Sequence, residues 1–442
     1  MFSMIKLSDR VSTEIAQNEK PGKQVVLAGW VQDIKVLGKL AFAKIRDREG
    51  DIQVVFFPDK FKKFNDLKKI TRESVVSIKG TVQKSKLKAG GNEILATELD
   101  ESSIAQTPLP IEFLGKGIET DLSKRLDARY LDLRNPKTAA IFKIKEKAII
   151  AIREFLSKDG FIEVITSKFS GAGAEGGATM FEFNYFGQKA YLNQSQQLYK
   201  QAMMACGFEK IYEIGPSFRA EKSHTQRHVT EFTQLDLEMS FIDSEDDIFK
   251  LEENLLKYVL DYVRKNCKKE LELLEKEVPT LKIPVPRVTH EEAVKLLQKA
   301  GIKIKQGEDI GTAEEKVLGK EVEKKYKNKA FFITKFPWKL EVCKFYWMRD
   351  GKYGRGGDFE FMGQELTTGA QREHRYDVLV KQIIEKGYSP KNFKPYLDTF
   401  RFGMPSHGGF GWGIDRLVQQ MLQIDNIREV VLFPRDPERL NP

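Results

Sequence analysis

Arginines and acidic residues are concentrated in three short stretches of the chain. These stretches are FRAEKSHTQRHVTEF (218–232), DFEFMGQELTTGAQREH (358–374) and HGGFGWGIDRLVQQML (407–422). A planar guanidinium group donates to two phosphate oxygens at once, and carboxylates lie beside phosphates when Mg²⁺ stands between them. The familiar nucleotide-binding folds are disfavoured, because the chain has no GxxxxGK[ST] loop and GGFGWG lacks the βαβ setting of a dinucleotide site. The three stretches instead predict one polyphosphate site of another kind.

The first stretch predicts a β-hairpin whose loop is KSHTQRH. On such a hairpin Arg219 and Phe232 lie on opposite strands and can point into one cleft. The arginine suits an α-phosphate, and the phenylalanine ring suits an adenine by stacking. An ordinary alternative stays open on this stretch alone, in which Arg219 pairs with Glu221 at the surface and Phe232 belongs to the core.

Carboxylates characterise the second stretch and glycines the third. Asp358 and Glu365 could hold Mg²⁺ together with phosphate oxygens, and Thr368 could complete the shell. Alternatively, the two acids are solvated residues of an edge strand. In the third stretch the glycines would let a planar base approach the backbone closely, with Arg416 on the first turn of the following helix. A glycine run on its own is more often just a loop.

The composition of the whole chain is that of a globular protein with polyanionic partners. Its 442 residues suggest two or three domains, and 73 Lys and Arg against 64 Asp and Glu give a formal net charge of +9. The three cysteines have no CxxC spacing, so we expect neither a disulfide framework nor a thiolate zinc site. Because there is no signal peptide and no apolar run of membrane-spanning length, we expect a cytoplasmic protein without a membrane partner.

Two kinds of hydrophobic pattern divide the chain and predict an α+β fold class. Residues 1–106 alternate apolar and polar side chains in about five short segments, which predicts a small β-barrel. Residues 107–137 are dense in charge and carry early prolines, as a hinge does. Helical spacing follows, with Gly160 as C-terminal cap, and residues 138–442 predict a mainly antiparallel sheet flanked by helices. Within them, residues 245–330 predict a small peripheral helical segment.

In their order, these stretches resemble the motifs of the class II aminoacyl-tRNA synthetases, in particular the aspartyl-tRNA synthetases of archaeal and eukaryotic type. GWVQDIKVLGKLAFAKIRDREGDIQVV resembles the family's anticodon-binding OB-fold barrel, RYLDLR its hinge, and DGFIEVITSKF its first motif, which forms the dimer interface. FRAEKSHTQRHVTEF resembles the second motif, and GGFGWGIDRL followed by IREVVLFPRD the third. The resemblance covers nearly the whole chain. It implies a homodimer that ligates L-aspartate to tRNA(Asp) with ATP and Mg²⁺.

The resemblance implies nucleotide-binding roles for residues of the second and third motifs. The catalytic arginines would be Arg219, on the ATP α-phosphate, and Arg416, which would stack on the adenine opposite Phe232 and reach the γ-phosphate. The other implied ATP-binding residues are Glu221, Arg227, His228, Glu365 and Gly413, and the implied Mg²⁺ ligands are Asp358, Glu365 and Thr368. The reaction is in-line attack of a carboxylate on the α-phosphorus, which needs positioning and charge neutralisation more than a general base.

The same resemblance implies a pocket for L-aspartate. A carboxylate out of water requires fixed cations. Lys200 in QSQQLYKQ and Arg372 in TTGAQREH match the pair that grips the aspartate side chain, and Asp236 would orient the arginine. The other implied pocket residues are Glu175, on the substrate ammonium, Ser195 and Gln197, in a loop that closes over the substrate, and Thr368. The asparaginyl relatives lack the lysine, whereas in an unrelated protein Lys200 would be a solvated helix residue.

For the tRNA, the resemblance assigns roles to the barrel and to the loop of the second motif. Phe42 and Gln53 would stack on and hydrogen-bond the anticodon, with Phe42 in the barrel core as the alternative. Gln32 is a candidate for choosing between tRNA(Asp) and tRNA(Asn) at the last anticodon base. The implied tRNA-binding residues are Gln32, Phe42, Arg46, Gln53, Ser223 and Thr225.

Some positions depart from the family pattern, and three other functions stay open. Ser167 and Gln196 replace prolines that are usual in the first motif and in the closing loop. Cys343 and Lys344 stand where lysine and proline are common. The alternative functions are an asparaginyl-tRNA synthetase, a relaxed enzyme that also charges tRNA(Asn) with aspartate, and a non-catalytic RNA-binding paralogue. The intact arginines of the second and third motifs weigh against the paralogue.

Overall fold

The computed structural model describes residues 5–85, 90–114, 120–171, 179–221 and 226–441. The chain divides into two compact units, Met1–Glu112 and Phe113–Pro442. This division falls inside the stretch 107–137, which the sequence predicts as a hinge. No helix in the described part of the chain is long and apolar enough to cross a membrane.

The N-terminal unit is a closed five-stranded barrel with one short helix. Its elements are α1 (Thr13–Asn18), β1 (Gln24–Leu37), β2 (Leu40–Arg46), β3 (Asp51–Phe56), β4 (Val75–Lys84) and β5 (Asn92–Ser103). The barrel order is β1-β2-β3-β5-β4, with β3 and β5 parallel and the other pairs antiparallel. Its interior contains Leu27, Ile45 and Ile78, each at most 1% exposed. The β-barrel predicted from the alternating pattern is confirmed.

The C-terminal unit is built on a large mixed sheet. Its strands are β6 (Ile162–Glu163), β7 (Phe169–Ser170), β8 (Glu182–Tyr185), β9 (Gln188–Leu192), β10 (Lys210–Phe218), β11 (Glu231–Ser240), β12 (Arg287–Thr289), β13 (Ala330–Thr334), β14 (Arg349–Asp350), β15 (Tyr353–Gly354), β16 (Gly356–Phe361), β17 (Gln364–Gln371) and β18 (His407–Gly413). Eight of them form one sheet in the order β12-β13-β16-β17-β18-β11-β10-β6. The pairs at its two ends are parallel and those between them antiparallel. The predicted antiparallel sheet is confirmed.

Helices cover this sheet. They are α2 (Leu122–Asp127), α3 (Arg129–Asp132), α4 (Pro136–Lys158), α5 (Gln197–Ala205), α6 (Glu245–Asn266), α7 (Lys268–Leu274), α8 (His290–Lys299), α9 (Thr312–Tyr326), α10 (Tyr376–Glu385), α11 (Lys394–Arg401) and α12 (Ile414–Met421). Helix α4 ends where the sequence predicts. Gly160 follows it with φ +82°, and the Phe161 N–H donates to the carbonyl of Leu156 at 3.0 Å, which is a Schellman cap.

Helix α6 corrects the prediction that residues 245–330 form a peripheral segment. Its residues Ile248, Leu255 and Val259 are fully buried and belong to the same hydrophobic core as α4 and the sheet. The lysines that suggested a solvated segment, such as Lys250, occupy the outer face of the helix. Residues of α8 and α9 belong instead to a second core beside β13. The segment is helical as predicted, but its first helix is part of the central core.

The second half of the predicted hinge is attached to the C-terminal unit. Arg129 of α3, in the stretch RYLDLR, is 1% exposed. Its guanidinium donates to the carbonyl oxygens of Glu429, Val431 and Leu432 at 2.9–3.0 Å and pairs with Asp132. A buried arginine with this many carbonyl acceptors fixes α3 against the C-terminal segment.

Candidate active site

Two neighbouring cavities lie along β10, β11, β17 and β18 of the C-terminal unit. The larger cavity has a volume of about 500 Å³, and the smaller cavity has a volume of about 190 Å³. The residues that line both cavities are Arg219, Glu221, Gln234, Glu365 and Gly411. The two cavities are therefore adjoining parts of one site.

The predicted hairpin of the second motif is confirmed and brings Arg219 to Phe232. Strands β10 and β11 pair antiparallel with Ser217 opposite Phe232, and Arg219 follows directly after β10. The guanidinium carbon lies 5.2 Å from the centroid of the Phe232 ring. Among the described residues no carboxylate lies within 4.0 Å of Arg219, and its buried Nε has no hydrogen-bond partner. The alternative surface ion pair with Glu221 does not form, and the arginine faces the smaller cavity.

The other cations predicted at the nucleotide also reach the smaller cavity, where Gly413 lies as well. Arg416, on the first turn of α12, donates from Nη1 to the carbonyl of Glu365 at 3.0 Å and lies 3.7 Å from its carboxylate. Arg227 pairs with Glu315 of α9 at 2.8 Å. Burial, opposed by Glu221, lowers the pKa of His228, so this imidazole is neutral at pH 7. Three arginines and one neutral histidine therefore face the same space.

Asp358, Glu365 and Thr368 lie together, as predicted for Mg²⁺ ligands. Asp358 is opposite Thr368 in the pairing of β16 with β17, and the Thr368 hydroxyl lies 2.8 Å from Asp358 Oδ1 and 2.9 Å from Glu365 Oε1. Burial and the nearby Glu365 raise the pKa of Asp358 well above its usual value. A divalent cation would relieve this repulsion, so the donor set fits a cation held by two carboxylates and phosphate oxygens. In the described residues no group of three or more His, Cys, Asp or Glu side chains could hold a metal ion.

Sequence reasoning missed two acids behind this pair. Glu360 is 1% exposed, and burial together with Glu315 and Glu365 raises its pKa well above the usual value. Glu315 accepts from the backbone N–H of Glu365 at 3.3 Å as well as from Arg227. The alternation in DFEF, which puts Glu360 two residues after Asp358, was the available signal. Glu315 comes from a distant helix and has no local signal.

Lys200 and Arg372 both line the larger cavity, and both are almost completely buried. Lys200 Nζ lies 3.0 Å from Asp236 Oδ1 and donates to the carbonyl of Phe410 at 2.9 Å. Arg372 donates from Nε to Glu238 Oε1 at 2.9 Å and from Nη2 to the carbonyl of Gly409 at 2.7 Å. The interpretation of Lys200 as a solvated helix residue is therefore wrong.

The prediction that Asp236 orients Arg372 is corrected by this geometry. Asp236 pairs with Lys200, whereas Glu238 holds Arg372. The two acids lie two residues apart on one face of β11, and the register against β18 places Glu238 opposite Gly409. Burial acts to raise the pKa of Glu238, but Arg372 and Lys200 hold it below its usual value. Glu238, which sequence reasoning missed, therefore carries the charge that compensates both cations.

Glycines of β18 make room for atoms of β11. A Cβ on Gly411 would lie 2.3 Å from Gln234 Nε2 and 3.3 Å from Asp236 Oδ1. A Cβ on Gly409 would lie 2.0 Å from the carbonyl oxygen of Leu237. HGGFGWG is a strand and not a loop. Because its glycines have no side chains, polar side chains of β11 can lie over it.

Further residues complete the rim of the larger cavity. Ser195 and Gln197, at the start of α5, line it as predicted, and the Gln197 N–H donates to Ser195 Oγ at 3.2 Å. Lys344 and Tyr346 also line it, although no role was predicted for Lys344. Burial raises the pKa of the neighbouring Cys343 to about 12, so this thiol is uncharged. Glu175, Ser223 and Thr225 lie outside the described residues.

The predicted anticodon residues Phe42 and Gln53 lie on the outer face of the barrel. Phe42 is only partly buried, between the inward-pointing Ala41 and Ala43, so its placement in the barrel core is wrong. Gln53 donates from its amide to Glu93 at 2.7 Å. Residues opposite each other across β1, β2 and β3 share this face, which brings Phe42 and Gln53 onto one surface.

Two other barrel predictions have different outcomes. Gln32 is the extra residue of a β-bulge between Val31 and Asp33, and its carbonyl accepts from Arg72 at 3.3 Å. A bulge changes the direction in which a side chain points, so the side chain of Gln32 does not follow the regular alternation of β1. Arg46 is 5% exposed and is held by Glu73 through two hydrogen bonds of 2.9 and 3.1 Å. The prediction that Arg46 contacts phosphate does not fit this geometry, because its guanidinium is buried against Glu73.

Comparisons with known proteins agree with this geometry. A family model described as tRNA synthetases class II (D, K and N) matches residues 121–437, and one described as OB-fold nucleic acid binding domain matches residues 25–101. The chain is 46% identical over 439 residues to the aspartate–tRNA(Asp/Asn) ligase of Methanopyrus kandleri, covering 99% of this chain and 100% of that protein. It is 45% identical over 441 residues to the aspartate–tRNA(Asp) ligase of Pyrococcus abyssi, covering 99% and 100%.

Solved structures show the same likeness in three dimensions. The asparaginyl-tRNA synthetase from Pyrococcus horikoshii complexed with asparaginyl-adenylate superposes with a TM-score of 0.90 at 37% identity, covering 99% of this chain and 100% of that chain. The aspartyl tRNA synthetase from Entamoeba histolytica superposes with a TM-score of 0.86 at 32% identity, covering 98% and 93%. The likeness therefore extends over both units of the chain.

Proposed function

The chain belongs to the tRNA synthetases of class II (D, K and N), and we propose that it ligates L-aspartate to tRNA(Asp) through an aspartyl adenylate. The relatives that are 46% and 45% identical to this chain are named aspartate–tRNA ligases, and the alignment covers the full length of each relative. The single observation that carries the choice of amino acid is the convergence of Lys200 and Arg372 on one cavity. Arginines of the adjoining cavity supply the charge that a nucleotide requires.

The free hydrogen-bonding groups of Lys200 and Arg372 favour aspartate over asparagine. Lys200 has three N–H donors, two of which are used by Asp236 and the carbonyl of Phe410. Arg372 uses Nε and Nη2 on Glu238 and Gly409. The remaining groups are donors, so a side-chain carboxylate can accept from both residues. The amide nitrogen of asparagine is itself a donor and would leave one of these groups unpaired, which is costly in a buried site.

The activation step follows from the two cavities. An α-carboxylate oxygen of aspartate attacks the α-phosphorus of ATP, a P–O bond forms, and the bond to the bridging oxygen breaks to release pyrophosphate. Arg219 neutralises the charge that develops on the α-phosphate, while Phe232 and Arg416 enclose the adenine. A ribose hydroxyl at the 3′ end of the tRNA then attacks the carbonyl carbon and releases AMP. The residues hold and neutralise the reactants, as in other phosphoryl and acyl transfers.

Mg²⁺ is part of the proposal because the donor set fits it. Asp358 and Glu365 would hold the ion, with Thr368 between them. A bound Mg²⁺ supplies charge neutralisation of the phosphate oxygens. Without it the two carboxylates would repel the phosphates of ATP.

Amino-acid-dependent exchange of pyrophosphate into ATP is the direct test. We expect exchange with aspartate and at least about 100-fold less with asparagine, because a buried unpaired donor costs about 3 kcal/mol. Lys200→Met keeps the stem of the side chain, and we expect it to abolish the discrimination along with most of the activity. Equal or greater exchange with asparagine would reject the choice of aspartate. Absence of exchange with any amino acid would support a non-catalytic RNA-binding paralogue.

A homodimer is proposed from the first motif. Ile165 is 92% exposed and Phe169 is 52% exposed, and both lie in the segment that resembles the family's dimer interface. Large apolar side chains at this exposure mark an interaction surface. Ile165→Asp should shift the sedimentation coefficient from that of a dimer to that of a monomer, whereas an unchanged dimer would place the interface elsewhere.

The tRNA partner is proposed to be tRNA(Asp), with tRNA(Asn) as the open alternative. Relatives of similar identity are named for aspartate transfer to tRNA(Asp) alone and to both tRNAs. The bulge at Gln32 makes this residue our candidate for reading the last anticodon base. Charging both tRNAs in parallel with the wild type and Gln32→Ala, at one stated salt concentration, decides the range of substrates.

A cytoplasmic location is also proposed, supported by the free state of Cys206, Cys267 and Cys343.

A further inference from the structure

A third cavity of the C-terminal unit has no part in the site described above. It has a volume of about 880 Å³ and shares no lining residue with the larger or the smaller cavity. We call it the basic cavity. Its charged lining residues are Glu291, Lys335, Lys339, Arg349, Lys352, Glu385 and Lys386. Five cations and two carboxylates therefore surround it.

The two carboxylates are already neutralised. Glu385 lies 3.2 Å from Arg349 and also accepts from the Trp338 indole at 3.0 Å. Glu291 pairs with Lys295 at 2.7 Å. In contrast, Lys335, Lys339 and Lys352 are exposed, and no carboxylate of the described residues lies within 4.0 Å of their ammonium groups. Three uncompensated positive charges therefore face one concave space, which is the electrostatic pattern of an anion site.

The walls of the basic cavity are formed by side chains that contact one another. Trp338 is 5% exposed, with Arg349 and Lys386 5.4 and 4.7 Å from its ring centroid. Lys386 donates to the Trp338 carbonyl at 2.6 Å. Lys339 lies against Gly307, where an added Cβ would be 3.4 Å from its Nζ. The tryptophan ring is covered on its faces and cannot stack on a base. The cavity thus offers point charges for phosphates.

The basic cavity is a short distance along the chain from the larger cavity. Lys339 lines the first and Glu341 lines the second. Two residues span at most about 7 Å. The basic cavity and the larger cavity therefore approach each other at the segment 339–341.

We propose that the basic cavity binds backbone phosphates near the 3′ end of the tRNA, through Lys335, Lys339 and Lys352. This proposal rests on the proposed function, because it takes tRNA as the substrate of the neighbouring site. The contact is independent of sequence. It contributes affinity and orients the acceptor end toward the adenylate.

The test replaces the three lysines together with glutamine, which removes charge and keeps side-chain bulk. We expect the Kd for a tRNA(Asp) transcript to rise about 10- to 100-fold and the slope of log Kd against log[salt] to fall by about 2 to 3, as for three lost phosphate contacts. Pyrophosphate exchange with aspartate should stay within about two-fold, because the basic cavity shares no residue with the site. A thermal melting curve shows that the variant is folded.

A matched variant controls for net charge. Lys250, Lys265 and Lys268 are exposed lysines of α6 and α7 that line none of the three cavities. Their replacement with glutamine changes the charge equally and should leave the Kd and the salt slope near the wild-type values. If the two triple variants bind tRNA alike, the proposal is overturned.

Two further arms identify the anion. A minihelix that carries only the acceptor stem and 3′ end should lose affinity for the basic-cavity variant and keep it for Phe42→Ala. If inorganic tripolyphosphate instead binds the wild type in a way that depends on these lysines while tRNA binding does not, the cavity serves a small anion and the RNA proposal is wrong. Direct binding is measured without catalysis, so failure of the proposed activity would appear separately, in the exchange reaction.

Discussion

Glu238 lies behind both cations of the larger cavity, and its role can be separated from that of Asp236. It is fully buried and bonds Arg372, while Lys200 lies 3.6 Å away. Glu238→Gln removes the compensating charge and loosens the arginine. We expect kcat/KM for aspartate in pyrophosphate exchange to fall about 100- to 1000-fold, since one partner of a buried pair is worth about 3–5 kcal/mol. The KM for ATP should change less than about three-fold, because Glu238 does not line the smaller cavity.

Asp236→Asn is the comparison variant, because Asp236 pairs with Lys200 and leaves Arg372 in place. It should raise the KM for aspartate less than Glu238→Gln does. Equal losses of ATP and aspartate binding in Glu238→Gln would show a general disturbance of the sheet and contradict a positioning role.

The buried side chain of His407 makes the stability of the C-terminal unit depend on pH. Burial lowers its pKa to about 4, and its ring bonds Gln201 at 3.0 Å and the carbonyl of Pro405 at 2.8 Å. In the unfolded chain this histidine has a pKa near 6.5. Between pH 6.5 and 4 the unfolded chain therefore binds a proton at this position, whereas the folded protein does not. Stability is therefore fully present above pH 6.5 and is lost as the pH falls, by about 3 kcal/mol at pH 4. Denaturant unfolding of the wild type and His407→Gln should converge as the pH is lowered.

Residue identities were predictable from the sequence more often than their partners were. Lys200 and Arg372 could be assigned to one pocket by resemblance, and they do line one cavity. Asp236 and Glu238 lie on the same face of one strand, so only the register of β11 against β18 decides which of them meets the arginine. Arg46 fails for a similar reason, because its partner Glu73 is distant in the sequence and follows no local pattern. Local spacing determines which face a side chain occupies, whereas tertiary pairing determines its contact.

The glycines of β18 provide a prediction at the scale of the strand. In Gly409→Ala the added methyl would meet the Leu237 carbonyl oxygen at 2.0 Å, which is backbone and cannot move alone. In Gly411→Ala it would meet the end of Gln234, a side chain that can rotate away. We expect Gly409→Ala to lower the melting temperature by 10 °C or more, if roughly 4 kcal/mol of strain is introduced. Gly411→Ala should stay folded and raise the KM for ATP and aspartate, because Gln234 lines both cavities.

Gly413→Ala serves as the control on the same strand, since its new methyl would lie 3.5 Å from Arg416 Cβ in an ordinary contact. Differential scanning calorimetry and exchange kinetics on the three variants rank the effects. A Gly409→Ala protein as stable as Gly413→Ala would mean that the sheet can open at this point.

Elements with local signals were predictable, and those defined by the core were not. Helix α4 was predicted from its apolar spacing and from Gly160. This residue has a φ of +82°, which glycine adopts freely. Helix α6 was misplaced because its lysines and glutamates describe only its outer face, while Ile248 and Leu255 on the inner face complete the central core. The segment DGFIEVITSKF joins the large sheet only at Ile162–Glu163, which pairs with Ile211 and Tyr212 of β10.

At the scale of the whole molecule, amino-acid activation and anticodon binding are assigned to different compact units. The cavities, the arginines and the carboxylates of activation all belong to Phe113–Pro442. Phe42 and Gln53 belong to Met1–Glu112, whose barrel closes around its own core. A division of this kind predicts that changes on the barrel face alter the tRNA-dependent reaction and leave amino-acid activation unchanged. The sequence indicated the division, because alternating segments fill residues 1–106 and helical spacing begins only after the charged stretch 107–137.

Phe42→Ala tests this separation. The ring is partly exposed on the outer face of β2, so its removal leaves the barrel interior intact. A lost stacking contact is worth about 1–3 kcal/mol per base, so we expect the KM for tRNA(Asp) in aminoacylation to rise about 5- to 150-fold. Pyrophosphate exchange with aspartate, which needs no tRNA, should remain at the wild-type rate.

Leu37→Ala, at an exposed position on β1, is the matched control and should change neither reaction. If Phe42→Ala slows exchange, or leaves the KM for tRNA unchanged while the melting curve is normal, the barrel face does not act as a separate anticodon platform. Because the two reactions share ATP, aspartate and enzyme, their ratio in a single preparation isolates the contribution of the barrel.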